Sequence, residues 1–127
     1  MRKAGAVLLV CAAMVGCGKG ETPMPAVALS REYKDRAAAD AKFKGQTLTI
    51  SGTIDYVGDT IFLPKDYVCV SVGEGEGRAW EGVDCVFSPS SARQTKWLKK
   101  GDRVVIRGVC KGEVFVGLPE LVDCSVR

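Results

Sequence analysis

Residues 101–124 read GDRVVIRGVCKGEVFVGLPELVDC, and this stretch decides what the rest of the chain must close against. From Arg103 to Cys110, Val104, Ile106 and Gly108 alternate with Val105, Arg107 and Val109, the two-residue period of a strand with unlike faces. Leu118-Pro119 breaks the chain, and Glu120 to Val126 resumes as a last strand with Leu121 and Val122 apolar. Cys110 and Cys124 flank the turn region between them.

Working outward, Gln46 to Val57 alternates as well. Leu48, Ile50, Ile54 and Tyr56 share one face, and Thr47, Thr49 and Ser51 the other. Gly52 sits where such a strand bends, which suits a small barrel whose first strand pairs with two neighbours. Gly58-Asp59 turns, Thr60 to Leu63 starts a second strand, Pro64-Lys65-Asp66 interrupts it, and Tyr67 to Val72 continues it. Residues 73–82 (GEGEGRAWEG) form a loop, and Val83 to Phe87 is a third strand. Ser90 or Ser91 caps a short helix from Ala92 to Lys100, anchored by Trp97 and Leu98. Upstream, Ser30 caps a helix from Arg31 to Phe43 with the stripe Leu29, Tyr33, Ala37 and Ala41, stopped by Gly45. The sum is a mostly β chain: five strands, one N-terminal helix, and a short helix between strands three and four. That is the layout of the OB-fold barrel.

The first sixteen residues carry Arg2 and Lys3, an apolar run from Ala4 to Val15, then Gly16, as a secretory signal does. That run is too short to span about 30 Å of hydrocarbon. Met14-Val15-Gly16-Cys17 resembles the lipobox of bacterial lipoproteins. The resemblance implies cleavage before Cys17, acylation of its sulfur with chains such as palmitate, and loss of Cys11 with the signal. An ordinary cleaved signal, or a structural Cys17, is the competing reading. With Gly18 rather than Asp following, the resemblance implies an outer membrane, facing the periplasm, in a Gram-negative envelope. The expected organisation is a signal over 1–16, a flexible tether over 17–29 with two prolines and two glycines, and helix plus barrel over 30–127.

Removal of Arg2 and Lys3 takes two from 18 basic residues, against 15 acidic ones. A near-neutral domain has no general pull toward nucleic acid. The chain has no histidine, hence neither the commonest metal ligand nor the usual general base. Ser88, Ser90 and Ser91 therefore lack a triad partner, and hydrolysis of that kind is excluded. Glu74, Glu76, Glu81 and Asp84 lack the spacing of a calcium loop, so neither metal nor cofactor is expected. Cys69, Cys85, Cys110 and Cys124 remain after export, with three possible connectivities and no C-x-x-C pair. Cys110 with Cys124 and Cys69 with Cys85 are the expected bridges. Alternation sets Cys69 outward and Cys85 with Val83 and Phe87, so the second bridge needs a bulge; failing one, Cys85 is a buried thiol or pairs elsewhere.

From about Tyr33 to the C-terminus the chain resembles the bacterial tRNA-anti-like OB-fold proteins, small exported proteins or lipoproteins of mostly unassigned role. The resemblance rests on Lys42-Phe43-Lys44-Gly45, Leu48-Thr49-Ile50-Ser51-Gly52, Cys85-Val86-Phe87, Leu98-Lys99-Lys100-Gly101-Asp102, Gly108-Val109-Cys110-Lys111-Gly112 and Asp123-Cys124. It implies the barrel and says little about activity.

Candidate ligand contacts are Trp80 and Arg78 in the loop, with Tyr67 and Arg107. Trp80 either stacks on a ligand or folds back over the barrel mouth. Arg93, Lys96, Lys99, Lys100, Arg103, Arg107 and Lys111 form a basic run, open to phosphate or lipid headgroups or simply solvated. The expectation is a non-enzymatic, membrane-tethered module binding a protein or glycan of the cell envelope. The alternatives are a binder of single-stranded nucleic acid or another polyanion, and more remotely a thiol-redox protein.

Overall fold

The computed structural model describes residues 22–75, 81–115 and 118–127. The signal, Cys17, Glu76, Arg78 and Trp80 lie outside the described residues. Among the described residues, no helix is long and apolar enough to cross a membrane.

The chain order is β1 (Met24–Pro25), α1 (Ala26–Glu32), α2 (Arg36–Phe43), β2 (Thr47–Gly58), β3 (Val68–Gly73), β4 (Val83–Phe87), a 3₁₀ turn (Ala92–Thr95), β5 (Arg103–Phe115) and β6 (Leu118–Val126). The sheet runs β1-β2-β3-β4-β6-β5, and β2 also pairs with β5, so five strands close into a barrel with β1 as an outside addition. All barrel pairings are antiparallel except β4 with β6. This is the connectivity of an OB barrel, as the sequence predicts.

The bent strand makes closure possible. Thr47 to Gly52 of β2 pairs with β5, and Thr53 to Gly58 pairs with β3. Gly52 marks the change of partner: a Cβ there would stand 2.6 Å from the Gly73 carbonyl oxygen and 2.7 Å from Val72 Cγ1. Only glycine lets the backbones approach that closely. The register slips between Ile54 and Tyr56, which turns Tyr56 off the inward face and leaves it 45% exposed.

Inside, Ile50, Ile54, Val70, Val72, Val83, Phe87, Ile106 and Leu121 form one core with Leu29 and Tyr33. α1 contacts β2, β3, β4 and β6, so its buried Ala26, Leu29 and Ser30 plug the barrel.

Three expectations change. The single helix from Arg31 to Phe43 is two helices, and Ser30 lies inside the first rather than capping it. Asp35 makes the break by accepting a hydrogen bond from the Ala38 amide at 3.2 Å, a competing local bond that starts α2 afresh. The stripe breaks with it: Leu29, Tyr33 and Ala39 are buried, while Ala37 and Ala41 are exposed. Helix α1 also takes in residues 26–29, drawn above as tether. Second, Thr60 to Leu63 is not a strand. Phe62 N–H donates to Thr60 Oγ1 at 3.1 Å and Leu63 N–H to the Thr60 carbonyl at 3.2 Å, closing a turn.

Third, the short helix is a 3₁₀ turn, whose side chains eclipse every three residues. That spacing sends Thr95 and Leu98 toward the barrel and Trp97 away from it. Trp97, expected as a core anchor, is 80% exposed.

Candidate functional site

Alternation along β3 and β4 gives the barrel wall two unlike faces. Val70, Val72, Cys85 and Phe87 point in, while Cys69, Ser71, Asp84 and Val86 point out. The outward set is roofed by the turn that replaced the expected strand. Two adjoining hollows of about 630 and 460 Å³ share Phe62, Leu63, Val86, Lys111 and Glu120 as walls, forming one groove over β3, β4 and β6. A groove of that size suits a ligand segment rather than a single ion. Phe62 is 72% exposed and Tyr56 45%; Tyr67, Pro64 and Val122 extend the apolar floor.

The polar lining of the groove includes three carboxylates, Asp84, Glu120 and Asp123. Asp84 and Glu120 are register partners across the parallel β4–β6 pair. Burial raises both carboxyls above their ordinary range. Ser71 Oγ–H donates to Asp84 Oδ1 at 2.8 Å and offsets part of that rise. At Glu120, Lys111 opposes the rise and the Asp84 charge adds to it. The groove thus offers carboxylates, a hydroxyl and aromatic surface, with Lys111 and Lys44 as cations at its walls.

Of the residues predicted from sequence, Tyr67 lines this groove. Arg107 does not: it sits on β5 opposite Thr49 and Ser125. Arg78 and Trp80 lie outside the described residues. Sequence reasoning missed Phe62, Leu63 and the Asp84–Glu120 pairing. Residues 60–66, TIFLPKD, hold the available signal, since an apolar triplet running into Pro64-Lys65-Asp66 fits a turn as well as a strand.

The cysteines also depart from expectation. Cys69, Cys85, Cys110 and Cys124 are all thiols and all buried. Cys69 lies under the outer groove and Cys85 inside the core, so the wall separates them, and no bulge brings them together. Cys110 stands 3.5 Å from the Tyr33 hydroxyl, which donates to Asp40 Oδ1 at 2.9 Å. Burial, then these two neighbours, raises the Tyr33 hydroxyl well above its ordinary value. Cys124 turns instead toward Cys85, near enough for each thiol to feel the other. Gly108 leaves the room, because a Cβ there would stand 2.6 Å from Cys124 Sγ.

Two of these thiols, Cys69 and Cys85, are poor nucleophiles. Burial, and next the charge of Asp84, pushes Cys69 up to about 12. Burial and then the Cys124 contact hold Cys85 well above its ordinary value.

No curated protein sequence matches the chain. Among solved structures, the fold is similar to that of a lipoprotein from Klebsiella pneumoniae subsp. pneumoniae with a proposed nucleic-acid-binding role. The TM-score is 0.70 at 16% identity, over 87% of this chain and 95% of that one. An OBody bound to hen egg-white lysozyme aligns with a TM-score of 0.48 at 20% identity, over 67% of this chain and 82% of that one. The profile of the tRNA_anti-like family matches residues 19–124, in agreement with the barrel and the motifs read above. The chain belongs to the tRNA_anti-like family, on a five-stranded OB barrel.

Proposed function

We propose that this protein is a non-enzymatic binding module, held at a membrane by acyl chains on Cys17, whose groove over β3, β4 and β6 takes a protein or glycan partner of the cell envelope. The observation that carries it is the groove itself, an aromatic-rimmed trough on the strand face that OB barrels use for ligands. Its chemistry favours hydroxyl-rich or cationic partners. Carboxylates accept hydrogen bonds from sugar hydroxyls or peptide cations, and Phe62 and Tyr56 offer rings for an apolar face to lie on. In a Gram-negative envelope the lipobox reading puts the module on the outer membrane, facing the periplasm.

The second reading, a binder of single-stranded nucleic acid, draws support from the role proposed for the Klebsiella lipoprotein. Against it stand Asp84 and Glu120 on the floor, which repel phosphate, where such sites use a cationic groove.

A photo-crosslinker at position 62, in the lipidated protein in its own membrane, tests the proposal. It should capture a discrete envelope protein or glycan, and Glu120→Lys should abolish the capture. An oligonucleotide affinity that falls steeply with salt and disappears in Phe62→Ala would overturn it in favour of the second reading.

A further inference from the structure

The stretch from Arg93 to Arg103 does not belong to the groove. Two of its residues, Leu98 and Arg103, line one shallow cleft with Val105, Val126 and Arg127 on another part of the barrel. Gln94 fastens the 3₁₀ turn there, its Oε1 accepting from the Val126 amide at 2.7 Å. Arg93, Lys96, Lys99, Lys100 and Arg103 are all exposed. Asp102 is the acid among them, and it accepts the Lys99 backbone amide at 3.2 Å.

Among the described residues, none of these five cations makes an ion pair. The ion pairs found use Arg31, Arg36 and Lys42 instead. In their midst stands Trp97, 80% exposed, with Lys96 Nζ 5.7 Å from its ring centroid. An indole left in water beside unpaired cations is the pattern of a membrane-interface anchor, where the ring sits at headgroup depth and the ammonium groups meet phosphate.

The chain's entry point lies close by. Arg103 lines a second cleft together with Pro25 and Ala26 at the start of the barrel. From Cys17 to Thr22 the sequence is five residues, a reach of at most about 17 Å when extended. A lipidated Cys17 therefore keeps the start of the barrel, and with it the Arg103 cleft, near the bilayer. A nucleic-acid strand is the other polyanion to weigh. It would need several aromatics in file for successive bases, and Trp97 is the exposed aromatic of this patch.

We propose that the patch formed by Trp97 with Arg93, Lys96, Lys99, Lys100 and Arg103 lies on anionic phospholipid headgroups. The contact orients the barrel on the membrane and leaves the groove, which shares no residue with the patch, open to its partner. The orientation rests on the reading that Cys17 is acylated; the headgroup contact itself does not.

The test uses the processed protein purified from membranes, with Trp80→Phe so that Trp97 is the sole tryptophan. It is reconstituted into vesicles of phosphatidylcholine alone or mixed with phosphatidylglycerol. Trp97 emission should shift to the blue and be quenched by brominated lipid in the mixed vesicles, and high salt should reverse both. Each cation near an anionic surface is worth roughly a fivefold gain in partitioning, so Arg93→Gln, Lys96→Gln, Lys99→Gln and Lys100→Gln together should remove the contact. A water-like Trp97 spectrum in the mixed vesicles at low salt would overturn the proposal. So would an oligonucleotide that strips Trp97 off the lipid at equal charge concentration. Loss of groove capture with the Trp97 signal intact would fail the groove reading alone.

Discussion

Strands β3 and β4 divide their eleven residues between two different surroundings. Their inner side is dry: Val70, Val72, Val83, Cys85 and Phe87 are at most 1% exposed. Their outer side is half wet, with Ser71 and Asp84 joined by a hydrogen bond under the Phe62 turn. The contrast separates stability from recognition. A change on the inner side should unfold the barrel, and a change on the outer side should alter what it binds.

The largest expected effect is therefore inside. Phe87→Ala removes a fully buried ring and should cost about 3–5 kcal/mol, read as a lower denaturant midpoint at unchanged slope. A cost below about 1 kcal/mol would mean that Phe87 is not core, and the two faces would have to be exchanged.

Sulfur gives the next test. In an oxidising compartment, a protein disulfide donor can take two electrons and two protons from the Cys85–Cys124 pair. Peptide mapping of the unreduced protein should then find that bond. Closing the loop from residue 85 to 124 stabilises by about 4 kcal/mol in the chain-entropy model, and a reductant should remove that stabilisation. A bond between Cys110 and Cys124 would break the inner-wall geometry, because Cys110 is turned to Tyr33.

Much of this contrast was legible in the sequence, and the failures share a cause. Strand alternation is a local, two-residue signal. It placed Ile50 and Ile54 inside, put Cys69 and Cys85 on opposite faces, and gave the bent first strand its two partners. What it could not give was any position fixed by one hydrogen bond or one register slip. Tyr56 moved outward through a slip at Asp55, Asp35 split a helix with its carboxylate, and Thr60 turned an apparent strand into a roof. The groove consists largely of such exceptions. Trp97 is another, because the choice between a 3.6-residue and a 3.0-residue turn lies beyond composition.

Smaller effects belong to the outer side, and their sign differs. Burial raises Asp84 above its ordinary 3.8 and Glu120 above 4.5. A carboxyl raised in the folded state binds its proton there in a range where the unfolded chain has already released it. Its contribution is therefore fully present below the unfolded value and is lost as pH rises through the folded one. Asp84→Asn keeps an acceptor for Ser71 and removes the charge, so it should stabilise at neutral pH. It should also flatten the decline of stability from about pH 4 upward. A variant less stable than the parent at pH 7 would show that the carboxylate has a favourable partner in the groove.

Phe62 is the smallest change in stability and the sharpest test of the division. The residue is 72% exposed, and its backbone amide is held by Thr60 Oγ1 whatever the side chain. Phe62→Ala should leave unfolding within about 0.5 kcal/mol of the parent. The same substitution removes the groove's most exposed aromatic surface, and truncating a central aromatic anchor typically costs a binding site about 2 kcal/mol or more. Titration of the captured partner against parent and variant should show a loss of about thirtyfold, with melting unchanged. If melting falls while affinity holds, the turn is a structural lid over Cys69 and Val86, and recognition must lie elsewhere on the barrel.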